Sequence, residues 1–210
     1  AALAARVVEG RRIVTRVFGP SEAGVYPATR KYMGRYGAKR IWDLVRDLER
    51  LGYRHDCRIH PETDTRQFFE TYPHAASVAL FDLEKTLKYK VRQGRSYATR
   101  WAAFREYEKH IRGLRACDPA FDDVDMFLDP DVSRRKGKAL KEYDDRLDAI
   151  LCAYIAAYYW TWGTHCCAIF GTLEGGYIVT PMNARLARRI PRDSPFVTYD
   201  GRTGGRISRR

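Results

Sequence analysis

Residues 142–160, EYDDRLDAILCAYIAAYYW, decide how the rest of this chain is read. Counting from Leu140, the residues Tyr143, Leu147, Ile150, Leu151, Tyr154 and Tyr158 recur at spacings of three and four. That period predicts one helix with a long apolar stripe packed on a core. Asp144 and Asp148 are four apart, so they share a face and flank the stripe; Asp145 lies three before Asp148 and can also reach it. Three carboxylates crowded beside apolar surface repel one another unless a cation or basic partner lies between them. The knot is therefore a candidate metal site. The ordinary alternative is a solvated surface, because acids in the opening turns of a helix suit the positive end of its dipole. The uncharged run 149–160 predicts burial on nearly all sides, with the polar tips of its Tyr and Trp residues partnered.

Composition bounds the answer. At 210 residues, 45% hydrophobic and 30% charged, the chain suits one globular domain with a sizeable core. No apolar run reaches the roughly 18 residues of a membrane span, and the start, AALAARVVEG, lacks the pattern of a signal peptide. It also lacks an initiator Met, which implies a processed or missing N-terminus. Five cysteines with no framework spacing suggest reduced thiols and a cytoplasmic setting. The five histidines, His55, His60, His74, His110 and His165, show no HxxxH spacing, which argues against a zinc enzyme.

The net charge of +12 is unevenly spread. Residues 85–115 hold ten Lys or Arg against two acids, a net of +8; residues 181–210 hold eight against two, a net of +6. Between them, 116–180 carries six basic and eleven acidic residues, a net of −5. Two basic segments around an acidic one suit a polyanion held by cations near a carboxylate site, although Arg-rich composition also serves solubility alone. We expect a domain over 1–183 and a basic, flexible tail over 184–210.

Along the chain, Leu3, Val7, Val14, Val17 and Phe18 predict an N-terminal helix loosened near Gly10, followed by a loop over 19–28. Ile41, Leu44, Val45, Leu48 and Leu51 predict an amphipathic helix with Gly52 at its C-cap. RQFFETY (66–72) reads as a strand, ended by Pro73, with a helix over 74–87. Tyr97, Trp101, Phe104, Ile111 and Leu114 predict a basic amphipathic helix. The Asp-rich segment 118–133 lacks the Gly and distal Glu of a calcium loop and reads as a plain loop. HCCAIF and YIVTP predict a terminal hairpin around Gly171, Gly175 and Gly176. Together these elements make one α/β domain whose sheet is short of partners.

Glu70 is the second residue to single out. It stands near a strand end, before Tyr-Pro-His and a helix, at the sheet edge where α/β folds place their sites. With Asp148 and its neighbours it would supply oxygen ligands suited to Mg²⁺ or Mn²⁺. Ions so held orient a water and stabilise charge on a phosphodiester under in-line attack. Lys88, Lys90, Arg92 and Arg95 are candidates for holding the phosphate backbone. The alternative for Glu70 is a strand-end acid paired with an arginine.

ETYPHAASVALF followed by LKYK, then DDRLDAILCAYIAAYYW and EGGYIVTP, is similar to the domain-of-unknown-function family 429. The similarity runs from about Gly10 to Pro181. GRRIVTRVFG with AGVYPA also resembles that family. Its members are predicted to share an RNase H-like fold, a mixed sheet flanked by helices, and to act as nucleases. The resemblance marks Glu70 and Asp148 as metal ligands and Asp144 and Asp145 as ligands or supporting acids, making Glu70, Asp145 and Asp148 the candidate catalytic set. It makes His74 and Lys90 candidates for substrate contact, beside the plainer roles of a helix-capping His and a solvated Lys.

The chain departs from the pattern where RNase H-like members begin. It shows neither their glycine-rich first strand with its Asp nor the later Asp-x-Pro. The resemblance thus implies an α/β domain incomplete at its N-terminus, helix-rich, with apolar surface exposed where strands would pair. The leading expectation is a metal-dependent nuclease acting on DNA or RNA. The alternatives are a nucleic-acid-binding protein without catalysis, and a pseudoenzyme that binds a protein partner or a second copy through an open sheet edge.

Overall fold

The computed structural model describes residues 2–24 and 39–201. In chain order its elements are α1 (Ala2–Phe18), α2 (Lys39–Arg50), β1 (Arg54–His55), β2 (Gln67–Phe68), α3 (Pro73–Leu80), α4 (Tyr97–Gly113), α5 (Gly137–Trp162), β3 (Cys167–Thr172), β4 (Gly176–Pro181), α6 (Ala184–Ala187) and β5 (Val197–Thr198). This is an α/β fold, rich in helix, with small parallel and antiparallel sheets.

The stripe that predicted α5 is its buried face, but the run 149–160 is not buried on nearly all sides: Ala149, Ala153, Ala156, Ala157 and Trp160 are exposed. Leu140, Tyr143, Leu147, Ile150, Leu151, Tyr154 and Tyr158 are all buried, joined by Ile155 and Tyr159. They pack with Phe104, Tyr107 and Ile111 of α4 and with Ile169 and Val179 of the sheet in one apolar cluster. Alternation along β3 splits its side chains between two cores. Cys167 and Ile169 join the α5 cluster, whereas Ala168 and Phe170 face a second one built from Ile13, Val14, Val17 and Phe18 of α1. The sheet is thus covered by helices on both faces. Gly10 does not loosen α1, which runs unbroken; it lets the helix approach β3, since a Cβ there would stand 3.4 Å from Gly171 Cα.

The hairpin β3–β4 forms as expected, with Ile169 opposite Val179 and Thr172 opposite Gly176. β5 pairs on the other side of β3. The segment expected as a strand over 66–72 keeps only Gln67–Phe68 as a named strand, parallel to β1. Its continuation still reaches the sheet: Val179 N donates to Glu70 O at 2.9 Å, and Thr71 forms a parallel bridge with Val179. β3 is therefore paired on both edges and β4 on its second edge by this bridge. Among the described residues, exposed large apolar side chains lie outside the named strands; three of them, Ile41, Leu44 and Leu51, lie on or just beyond α2. Among the described residues, no large apolar side chain of a named strand is exposed where a further strand would pair.

Two boundaries differ from those expected. The helix expected over 74–87 stops at Leu80, because Asp82 turns to φ 49° and Asn183 Nδ2 donates to both Ala79 O and Asp82 Oδ1. The chain released there carries Tyr89 and Lys90 across to α5. Residues 184–201, expected as flexible tail, hold α6 and β5. Leu186 is fully buried, and Asn183 caps α6 by accepting from Leu186 N at 3.0 Å. Those anchors are sparse among arginines, so composition hid them. The remaining tail residues and the loop segment 25–28 lie outside the described residues. No helix among the described residues is long and apolar enough to cross a membrane, and no disulfide joins the described cysteines.

Candidate functional site

The knot of acids on α5 divides when the helix is built. Asp144 sits on the buried side, 1% exposed. One turn later Asp148 stands at its border, and Asp145 points outward. Lys90 Nζ lies 2.6 Å from Asp144 Oδ1 and 2.6 Å from Asp148 Oδ2, so a single ammonium bridges both carboxylates. Lys141, one turn before Asp145, pairs with it and reaches Asp144 Oδ2 at 3.4 Å. Asp145 thereby positions Lys141 rather than joining the pair.

A second layer fixes Asp148. The buried Tyr89 hydroxyl donates to Asp148 Oδ1 at 3.0 Å and lies 3.1 Å from His74 Nδ1. Because the hydroxyl proton goes to the carboxylate, His74 Nδ1 would donate to the Tyr89 oxygen. His74 occupies the first turn of α3 and is stacked on Tyr72. Burial, reinforced by Lys90, lowers the His74 pKa below its ordinary value, against the pull of Asp148 and Asp144. Burial raises the Tyr89 pKa steeply, and the nearby aspartates add to it, so the phenol stays protonated as a donor. For Lys90, burial would lower the pKa, but Asp148 and Asp144 together carry it above the ordinary lysine value.

Glu70 stands apart from this hydrogen-bonded cluster, four residues before His74. Its backbone is clamped, since Glu70 N donates to the Tyr177 hydroxyl at 3.2 Å while Glu70 O accepts from Val179 N. Its side chain is solvent-exposed, yet the surrounding protein desolvates it enough to raise its carboxyl pKa. Among the described residues, no three of His, Cys, Asp and Glu converge closely enough to hold a metal ion. The two that do converge are Asp144 and Asp148.

The basic candidates are brought near but serve different partners. Lys88 is engaged with Glu22, as is Lys85 at 3.0 Å; these two lysines pull the Glu22 pKa down to about 2. Arg92 is exposed. Arg95 Nη1 donates to Lys90 O at 2.7 Å, and Arg100 Nε to Tyr89 O at 2.8 Å, so two guanidinium groups hold the backbone that presents Tyr89 and Lys90. Tyr89, Arg100 and Lys141 were not singled out in the sequence. Arg100 carried a signal: it lies four before Phe104, on the buried face of α4.

Comparison with known proteins adds the family. No curated protein and no solved structure gives a match. A family model described as "Protein of unknown function (DUF429)" matches residues 2–169, which run from α1 into the first half of β3 and include His74, Tyr89, Lys90, Lys141, Asp144 and Asp148. The chain belongs to the DUF429 family.

Proposed function

We propose that this chain binds nucleic acid and hydrolyses its phosphodiester bonds at the Asp144–Asp148 pair, with the RNase H-like character implied by its motifs. The observation that carries the reading is the convergence of two carboxylate oxygens, from adjacent turns of α5, on one point 2.6 Å from each. Mg²⁺ is commonly held by one or two carboxylates plus substrate phosphate and water, so the donor chemistry of this pair fits Mg²⁺ or Mn²⁺. Bound by Asp144 and Asp148, such an ion would polarise a phosphoryl oxygen and acidify a coordinated water.

The protein's own groups prepare that point. Burial and the two lysines hold Asp144 in place, and Tyr89, itself backed by His74, fixes the orientation of Asp148. Lys90 offsets the charge of the pair and, as a cation at the same point, competes with a metal and offers a partner to a phosphate oxygen. Glu70 stands apart from the pair and forms no ion pair among the described residues; with its carboxyl pKa raised, it is kept as a candidate for exchanging a proton with substrate or solvent. The surplus of Lys and Arg over 85–115 favours a polyanion approaching this face. We place the protein in the cytoplasm on its cysteines, all five of which are free thiols.

A second reading, nucleic-acid binding without catalysis, is favoured by one specific feature: Lys90 already satisfies the pair, and Asp145 and Glu70 lie outside it. Incubation of the chain with single- and double-stranded DNA and RNA, with Mg²⁺ or Mn²⁺ and beside Asp148→Asn, separates the two. Metal-dependent cleavage lost in the variant supports hydrolysis. Salt-sensitive binding with no cleavage by either protein supports the second reading, and neither binding nor cleavage sinks both.

A further inference from the structure

A cleft of about 390 Å³ opens beside the cluster, lined by Val91, Arg95, Tyr97, Arg100 and Gly137. Two features of it are unusual together. Arg100 is 5% exposed, forms no ion pair among the described residues, and leaves Nη2 buried without a hydrogen-bond partner. Its Nε donates to Tyr89 O and its guanidinium lies 5.6 Å from the Tyr97 ring centroid, but Nη2 still lacks an acceptor, and a buried cation without an anion is costly. Arg95, beside it, has its pKa lowered by burial and by the like charges of Arg92 and Arg100. Glu22 bears on Arg95 in the opposite sense, but that acid is engaged by Lys85 and Lys88.

The second feature is independent of the arginines. Gly137 opens α5, a helix of 26 residues whose N-cap, Lys136, makes no side-chain cap and whose first turn holds no acid. The positive end of that helix therefore faces the cleft without a carboxylate in its own first turn to complement it. Lys136, next to Gly137, adds a cation near the lining residue Tyr97, with Nζ 6.0 Å from the Tyr97 ring centroid and 5.8 Å from that of Trp101. Tyr97 fixes the wall by accepting a hydrogen bond from Gly137 N at 3.1 Å.

We propose that this cleft is a phosphate-binding site, in which Arg95, Arg100 and the N-terminus of α5 take a phosphoryl group of a nucleotide or nucleic-acid strand. Arg95 and Arg100 also hold the backbone of Lys90 and Tyr89, so occupancy of the cleft bears directly on the carboxylate cluster. The site stands on its own observations and holds whether or not the chain hydrolyses anything.

The test is calorimetric titration at fixed ionic strength, without divalent metal, using inorganic phosphate and a dinucleotide with and without a 5′-phosphate. Wild-type protein is expected to bind phosphate saturably, and Arg95→Ala and Lys136→Ala to weaken it, the former by about tenfold, a charge-assisted contact. Arg115→Ala, an arginine on Asp125 elsewhere, is expected to bind as wild type. Preference for the 5′-phosphorylated dinucleotide identifies a terminal phosphate as the ligand, and equal binding of the two identifies an internal phosphodiester. Arg100→Lys probes the buried guanidinium, with circular dichroism to check folding; if it does not fold, Arg95→Ala decides. Absence of saturable phosphate binding, or affinity unchanged in Arg95→Ala, overturns the proposal.

Discussion

Lys90 Nζ stands 2.6 Å from Asp144 Oδ1, joining residues 54 apart in sequence, with the aspartate 1% exposed and the lysine 32% exposed. The lysine is the main cation between two carboxylates on one helix face. Lys90→Ala leaves that pair facing itself, and breaking a buried pair costs about 3–5 kcal/mol. Partial exposure of Lys90 and the remaining reach of Lys141 reduce the expected loss to about 2 kcal/mol. Urea denaturation measures it. Adding Asp144→Asn to Lys90→Ala should recover part of the loss, because the two positions share one interaction.

The same variant probes metal binding without any activity assay. With the ammonium gone, Mg²⁺ or Mn²⁺ should raise the melting temperature of Lys90→Ala more than that of the wild type, since a ligand bound only by the folded state stabilises it. An equal response of the two proteins would count against metal binding at this pair.

His74 gives a pH signature. Burial, with Lys90, keeps its folded pKa below the ordinary 6.5. As pH falls through 6.5 the unfolded chain takes up a proton that the folded chain does not, so this residue makes the protein less stable toward acid. The loss runs from about 6.5 down to the lowered folded value. His74→Gln should flatten that limb in denaturation midpoints taken over about pH 5–8. An unchanged slope would show that the imidazole is not held neutral.

Glu70 behaves in the opposite sense. Its folded pKa is raised above 4.5 by burial, so the folded state disfavours its charge, and the penalty is felt as pH rises from the unfolded value through the folded one. Glu70→Gln should therefore stabilise the protein at neutral pH, by less than about 1 kcal/mol because the side chain meets solvent. A gain in stability together with a loss of any hydrolytic activity is the pattern of a residue kept for chemistry.

Gly171 and Gly10 form a close contact but should respond differently. Gly171 adopts φ 104°, and a Cβ there would meet Gly176 O at 2.2 Å, backbone that cannot step aside. Gly171→Ala is expected to cost about 1–3 kcal/mol. Gly10→Ala places its methyl 3.4 Å from Gly171 Cα, and the helix propensity it gains, about 0.5–1 kcal/mol, should leave it near neutral. Thermal melts of the two variants separate backbone strain from simple packing.

Local patterns were legible in the sequence wherever one element carried the signal. The stripe from Leu140 to Tyr158 named the buried face of α5, and the glycines near 171–176 named the hairpin. What failed were features decided by partners far along the chain. Nothing around Leu80 announces that Asn183 will end that helix, and nothing in 184–201 outweighs its arginines until β3 is there to pair with β5. The candidate site divides in the same way. Spacing alone put Asp144 and Asp148 on one face, but only packing could show that Asp145 turns to Lys141 and that Tyr89 joins His74 to Asp148. A buried tyrosine inside a basic, irregular segment has no periodicity to betray it.

The most direct test of the central claim is single-turnover cleavage of a labelled oligonucleotide by three variants measured side by side with wild type: Asp144→Asn, Asp148→Asn and Asp145→Asn. The geometry predicts that the first two lose at least about a hundredfold in metal-dependent rate, the scale of removing a group that stabilises developing charge. Asp145→Asn, whose side chain faces Lys141 and solvent, should keep most of it. Equal rates in all four proteins, or a loss as deep in Asp145→Asn as in the other two, would contradict the assignment of chemistry to the Asp144–Asp148 pair.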